Sequence, residues 1–312
     1  MKPDGVIVPI VTPVNESGQI DRPGLERLIN HLIQGGIRNI FPAGTTGEFA
    51  RLQSAVRHEL FDLTVQYCRG RARVYAGVSD TSLDEVLNHL HVAEDCAVDA
   101  CVISLPYYYP TSIAEAQRWF TAITKASVLP VVLYNIPGNI GQILPPQVVA
   151  ALKGKIVGIK DSGGDAHLMQ AYFRSLGGDH RNASFLVGSE KDVGKAIIMG
   201  ADGVVPSMAN VFPGLWSRLW ICRHNHTILA RTMKLVNRIN QLNTYDGLPL
   251  SSILWKKRLL NLEGICSANA VYPAETLGPQ LDEQLRKVSR MVQEFISRLD
   301  RGESHTDARF VR

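Results

Sequence analysis

The chain has 312 residues, 45% apolar and 20% charged, which is ordinary for a soluble globular protein and excludes disorder, collagen and a coiled coil as the main reading. Lysine and arginine total 33 against 29 acidic residues, so the net charge is only +4; no block of five like charges occurs, which argues against nucleic acid as a partner. No stretch nears the roughly 18 apolar residues of a membrane span, and Pro3-Asp4-Gly5 interrupts any leader-like start. The 5 cysteines, odd in number and without CxxC spacing, fit free thiols in a reducing cytoplasm.

In chain order, short β-branched runs alternate with longer amphipathic segments. The runs are Val6–Val11, Asn39–Pro42, Val74–Val78, Ala100–Leu105, Val131–Tyr134, Val157–Lys160, Phe185–Val187 and Gly203–Val205. They recur about every 28 residues, close to the roughly 30 that a strand, a crossover helix and two turns need. Apolar residues fill the runs without alternation, as in parallel strands covered on both faces. Between them, Asp21–Gln34, Ser82–Ala97 and Ser112–Ala126 carry apolar residues at helical spacing, the first stripe being Leu25, Leu28, Ile29, Leu32 and Ile33. Gly35-Gly36 is placed to end the first helix. Eight βα units predict a closed (β/α)8 barrel, with an open doubly wound sheet as the alternative. Past residue 210 only helical patterns follow: Phe212–Cys222, Thr227–Leu242, Leu248–Gly264 and Asp282–Leu299. The expected organisation is a barrel catalytic domain over 1–225, a helical extension packed on it over 226–300, and a frayed polar tail over 301–312.

A barrel of this kind carries its active site at the C-terminal ends of the strands. Those ends here are Gly44-Thr45-Thr46-Gly47-Glu48, Pro106-Tyr107-Tyr108-Tyr109-Pro110, Tyr134-Asn135-Ile136-Pro137, Lys160-Asp161-Ser162 and Gly188-Ser189-Glu190. Lys160 is the sharpest signal, because lysine is rarely buried without a partner or a task. Strand alternation puts Gly158 and Lys160 on one face, and Gly158 is expected to leave space beneath the lysine stem. Tyr134 ends the neighbouring run, so its phenol can reach the amine. A lysine amine in water, with pKa about 10.4, is protonated near neutrality, and desolvation is what frees its lone pair for nucleophilic work. The plain alternative is an ammonium paired with Asp161 in solvent. Gly44–Gly47 offers hydroxyls and N–H groups before a helix expected to begin near Glu48, a start that favours a carboxylate; a simple helix cap is its alternative. The three tyrosines also fit aromatic packing at a rim or subunit contact. His89, His91 and Cys96 share a predicted helix without a metal-binding pattern, so they read as structural, and no metal is expected. No GxGxxG follows the first run, so no dinucleotide is expected.

These same residues carry a resemblance. Gly44-Thr45-Thr46-Gly47-Glu48, the Tyr-Tyr-Tyr-Pro run, Tyr134-Asn135-Ile136-Pro137, Gly158-Ile159-Lys160-Asp161, Gly5 to Pro13 and Gly200-Ala201-Asp202-Gly203 resemble, in order and spacing, the signature set of the dihydrodipicolinate synthase / N-acetylneuraminate lyase family. The resemblance implies a pyruvate-type class I aldolase or related lyase without metal or organic cofactor. It implies that Lys160 forms an imine with a 2-oxo acid and that Tyr134 moves protons. Thr45 would link Tyr134 to a tyrosine, Tyr108, contributed in many members by a neighbouring subunit, so a homotetramer or homodimer is expected. Thr46, Gly47 and nearby N–H groups would hold the pyruvate carboxylate, with Val205 lining the other side. Ser189, Glu190 and Ser207 fall where members contact the hydroxylated tail of a sugar acid. Dihydrodipicolinate synthases have an arginine two residues after the Tyr-Asn-x-Pro proline; here that position is Asn139, which weakens the synthase reading. The 137–141 and 160–165 runs look closer to 4-hydroxy-2-oxoglutarate aldolases, and the tyrosine run to neuraminate lyases and sugar-acid aldolases. Where many members have an arginine before a proline, this chain has Val271-Tyr272-Pro273. The expectation is a cytoplasmic lyase acting on pyruvate plus a small aldehyde, as in 4-hydroxy-2-oxoglutarate or a 2-keto-3-deoxy sugar acid. Dihydrodipicolinate synthase, a sugar-acid dehydratase and a non-catalytic ligand-binding barrel are the alternatives.

Overall fold

Eight short parallel strands close on themselves in sequence order, each paired with the next and the last with the first. The structure, a computed structural model, describes residues 2–178, 182–242, 251–271, 277 and 279–301. Tyr272, Pro273, the start of the predicted 248–264 helix and the tail beyond Arg301 lie outside the described residues. The elements run β1 (Gly5–Pro9), α1 (Arg22–Gln34), β2 (Asn39–Phe41), a 3₁₀ turn (Phe49–Arg51), α2 (Ser54–Cys68), β3 (Arg73–Gly77), α3 (Leu83–Asp95), β4 (Ala100–Ser104), α4 (Ile113–Ala126) and β5 (Val131–Asn135). Then come α5 (Pro137–Ile140), α6 (Pro146–Ala151), β6 (Gly158–Asp161), α7 (Ala166–Leu176), β7 (Ser184–Val187), α8 (Val193–Ile198) and β8 (Gly203–Val204). Among the described residues, α9 (Pro213–Ile221), α10 (His226–Leu242), α11 (Ser251–Leu262) and α12 (Asp282–Asp300) follow. The predicted barrel is what forms, and every predicted run overlaps a strand to within a residue or two. Among the described residues no helix is long and apolar enough to cross a membrane.

The barrel interior is filled by apolar side chains. Ile7, Tyr75, Val102, Val132 and Leu186 pack together inside, all nearly solvent-free. Each such aliphatic side chain contributes roughly 1.5–3 kcal/mol of transfer free energy. Helices cover the outside where their sequence allows sharp starts. In α4, Ser112 caps the helix by accepting from the Glu115 N–H at 3.3 Å while the Glu115 carboxylate accepts from the Ser112 N–H at 2.8 Å. This reciprocal box satisfies two N–H groups that a helix start leaves open.

Contacts divide the chain into two units, Met1–Thr12 with Ile37–Ser207 and Pro13–Gly36 with Met208–Arg312. The first holds all barrel strands. The second holds α1 with α9–α12. Within it, Arg27 Nε donates to the Ile265 carbonyl at 2.8 Å and Ser217 Oγ to the Gly35 carbonyl at 2.7 Å, which ties α1 to the C-terminal helices.

His89, read from sequence as structural, is fully buried on α3 in the first unit. Its Nδ1 lies 2.9 Å from His58 Nε2 and its Nε2 3.5 Å from Asp80 Oδ2, while Arg57 binds Asp80 at 3.2 Å and donates to the carbonyls of Gly77 and Ser79. Burial, then the Arg57 charge and then His58, push the His89 imidazole down to about 4. A histidine depressed in the fold stabilises the fold above its unfolded value, near 6.5, and that contribution is lost as pH falls towards 4. Urea denaturation should therefore show a loss on the order of 2–3 kcal/mol between about pH 7 and about pH 4.5. A His89→Gln variant should show a flatter profile; an equally steep one would show that the proton is taken up elsewhere.

Candidate active site

The register of β5 and β6 sets the site. Val132 pairs with Gly158, Tyr134 with Lys160 and Asn135 with Asp161. Alternation then sends Tyr134 and Lys160 to the same face, and Tyr134 belongs to the inner cluster. Lys160 is 5% exposed, with Nζ 3.8 Å from the centroid of the Tyr134 ring and 5.0 Å from that of Phe41. Asp161 does not pair with it. That carboxylate is buried and accepts from Asn135 Nδ2 at 2.7 Å and from the Gly163 N–H at 3.0 Å. Burial raises the Asp161 pKa against those two hydrogen bonds. The solvent-exposed Lys160–Asp161 pair, the plain alternative from sequence, is thus replaced by a lysine facing aromatic rings.

The expected role of Gly158 needs correction. A Cβ there would lie 2.9 Å from the Ser184 carbonyl oxygen, so Gly158 accommodates the approach of β7. Gly188 is the residue that clears the lysine: a Cβ there would sit 2.8 Å from Lys160 Cε and closer still to Ser162 Oγ. Sequence reasoning passed over Gly188 and Phe41. Alternation from Asn39 would have put Phe41 inside, but the contact across strands is not encoded locally.

The loop after β2 brings Thr45 Oγ1 to 3.4 Å from the Tyr134 hydroxyl, a long contact in which either group can donate. The helix expected near Glu48 does not start there. Ala43 and Glu48 adopt left-handed φ of 52° and 59°, the 3₁₀ turn intervenes, and α2 begins at Ser54. The loop itself closes on Gly44 and Thr45: the N–H groups of Gly47 and Phe49 donate to the Gly44 carbonyl and that of Glu48 to the Thr45 carbonyl. Gly47 also accepts from Thr12 Oγ1 at 2.7 Å, so its polar backbone groups are both engaged. The Thr45 and Thr46 N–H groups donate to no acceptor among the described residues. An anion there would meet two backbone donors on a strained turn in place of a helix end.

Farther round the rim, Ser207 Oγ donates to Glu190 Oε1 at 2.9 Å and Ser189 Oγ to Asp192 Oδ2 at 2.5 Å. Val205 belongs to the inner apolar cluster. Asn139 lies exposed on α5. Tyr108 is 84% exposed at φ 94°, its ring edge-on to Tyr109 at 5.0 Å, while Tyr107 packs edge-on against Phe49 at 6.0 Å. So Lys160, Tyr134 and Thr45 come together within the chain, and Tyr108 points away from them into solvent. A positive φ on a tyrosine costs on the order of 1–3 kcal/mol, and such strain collects at functional loops.

Residues 2–294 match the model of the dihydrodipicolinate synthetase family. The 4-hydroxy-tetrahydrodipicolinate synthase of Methanothermobacter thermautotrophicus is 33% identical over 224 residues, which is 70% of this chain and 78% of that protein. The Escherichia coli K12 protein YagE, provisionally named a 2-dehydro-3-deoxy-D-gluconate aldolase, is 30% identical over 67% of this chain and 70% of its own. Its crystal structure in complex with pyruvate superposes with a TM-score of 0.85 over 93% of this chain and 98% of YagE, at 26% identity. Dihydrodipicolinate synthase from Bacteroides thetaiotaomicron gives 0.85 over 93% and 98%, at 30% identity.

Gly188→Ala would push against the lysine stem. Displacing a reacting amine by about an ångström can cost up to about a hundredfold in rate. Turnover by the variant is expected to fall about tenfold or more with circular dichroism unchanged; full turnover would show that the stem does not use that space.

Proposed function

The chain belongs to the dihydrodipicolinate synthetase family and is a pyruvate-dependent lyase of the class I aldolase type; from that premise we propose that it forms or cleaves a 4-hydroxy-2-oxo acid through an imine on Lys160. The observation that carries this reading is the lysine's place on the inner barrel face beside Tyr134, with aromatic faces around its amine and Asp161 turned to other partners.

The chemistry follows from those groups. Neutral Nζ adds to C2 of pyruvate, the ketone oxygen leaves as water, and a protonated imine results. That cation draws electrons from C3, so loss of a C3 proton gives an enamine, and the enamine carbon attacks the carbonyl of an aldehyde. Hydrolysis of the new imine returns the lysine. Cleavage is the same sequence reversed. The Tyr134 and Phe41 rings suit a cation held over their faces, an effect worth roughly 0.5–2 kcal/mol, and they serve the protonated imine as well as the ammonium. The Tyr134 hydroxyl, in contact with Thr45, is the proton carrier, a role typically worth 10²–10⁴-fold. Tyr108, exposed on a strained loop, completes the relay from a neighbouring copy, which makes the active form a homodimer or homotetramer. Thr46 and its neighbour Thr45 present the free N–H groups that receive the pyruvate carboxylate. The Glu190–Ser207 pair and Ser189 stand where a hydroxylated aldehyde tail would lie, and Val205 forms the apolar wall.

Asn139 directs the choice of second substrate. A neutral, exposed side chain replaces the cation that a synthase uses for its second carboxylate, so the aldehyde is expected to be a small sugar-type or oxo-acid aldehyde. The synthase reading keeps support from the names of the curated relatives. Borohydride with pyruvate should leave a stable mass adduct on Lys160, absent in Lys160→Arg. Screening of hydroxy-oxo diacids and 2-keto-3-deoxy sugar acids should release pyruvate from at least one of them. Rapid turnover with aspartate semialdehyde and none with those acids would establish the synthase instead, and failure to trap any adduct would refute the imine.

A further inference from the structure

The loops beyond β6 and β7 hold a cation that the imine chemistry does not use. In the first unit, the segments leading from a strand end to the next helix contain two basic residues, Arg51 and Lys191. Arg51, on the 3₁₀ turn, is already engaged within the chain. Lys191, in the loop after β7, is exposed, and its ammonium makes no hydrogen bond or ion pair among the described residues. Its place is set by the seam that also holds Lys160. β6 and β7 pair in register up to Asp161 and Val187. Gly188, which clears the Lys160 stem, lies three residues before Lys191. Across the seam, Gly164 turns at a φ of 72°, four residues after Lys160. A Cβ there would lie 3.4 Å from Lys191 Cε and 3.6 Å from Nζ, so the lysine end rests against the loop that leads out of Lys160's own strand. The acids on either side of Lys191 in sequence have other partners. Asp192 is buried, accepts from Ser189 Oγ at 2.5 Å and has Lys195 Nζ 3.9 Å from its second oxygen, while Glu190 accepts from Ser207 Oγ at 2.9 Å.

We propose that Lys191 receives a second carboxylate at the far end of the substrate, which makes that substrate a hydroxylated oxo diacid. This rests on the Lys160 imine, because the imine fixes which end of the substrate lies at β6. Three features select the class. An ammonium is a compact point charge with three donors, suited to a single carboxylate. A phosphate dianion would outweigh one ammonium that has Glu190 and Asp192 as its neighbours in sequence. A carboxylate has about four lone-pair sites, so Glu190 accepts a substrate hydroxyl as well as the Ser207 one, which suits a hydroxylated chain between the two ends. The cation missing at Asn139 is thus supplied from the loop after β7.

The matched acids 2-keto-3-deoxyglucarate and 2-keto-3-deoxygluconate test this on the full chain, because they differ only in a carboxylate or a hydroxymethyl group at the far end. With consumption followed by NMR, kcat/KM for the diacid should exceed that for the monoacid about tenfold or more, the equivalent of one charge-assisted contact. Lys191→Gln should lose that ratio, chiefly through a higher KM for the diacid, and Lys191→Arg, which keeps the charge, should retain most of it. Calorimetry with glucarate and gluconate, which have no ketone to condense, reads the same contact without the imine. Glucarate should bind the parent more tightly at constant ionic strength, and Lys191→Gln should remove the difference. Equal handling of glucarate and gluconate by the parent, or a Lys191→Gln variant that keeps the parent's preference, would overturn the assignment. Failure to trap pyruvate in the parent, with a glucarate preference that still depends on Lys191, would refute the imine and leave the carboxylate contact standing.

Discussion

Two side chains share one level of the barrel because β5 and β6 are parallel and in register there. Tyr134 and Lys160 are Cα partners, and the period of two that governs strand side chains sends both inward. A one-residue slip of β6 would put the lysine among the helices, and one of β5 would do the same to Tyr134. The apolar residues below the pair, Val132 and Leu186 among them, hold that register, since a slip would expose them as well. Core packing and the placement of this pair are therefore one constraint.

The charges follow from the same alternation. Asn135 and Asp161 turn outward together, and there Asn135 donates to Asp161 and accepts from the Leu144 N–H at 3.0 Å. The carboxylate next to the lysine in sequence is thereby kept occupied on the opposite face. A carboxylate at the amine would hold it as an ammonium ion pair and blunt its nucleophilicity. Aromatic faces, in place of a carboxylate, surround the amine. Gly188, just past the end of β7, completes the arrangement by leaving room for the stem.

The architecture was legible in the sequence because it is repetitive. Apolar runs at an even interval, with helical stripes between them, have few other solutions than a closed barrel. Lys160, Tyr134 and Thr45 were legible because strand ends in such a barrel converge on one rim. What stayed hidden depends on contacts between residues far apart in the chain. Gly158 and Gly188 look alike in sequence, and only the approach of Ser184 to one and of Lys160 to the other separates their roles. The delayed start of α2 reflects left-handed backbone at Ala43 and Glu48, residue types that do not advertise it.

The account stands on Lys160 turning pyruvate into an enamine, and proton exchange reads that step without any aldehyde present. In deuterated buffer, the methyl protons of pyruvate followed by NMR should exchange far faster with the protein than without it. The exchange should vanish in Lys160→Arg and slow markedly in Tyr134→Phe. Exchange at the uncatalysed rate, or exchange that survives loss of the lysine amine, would contradict the account.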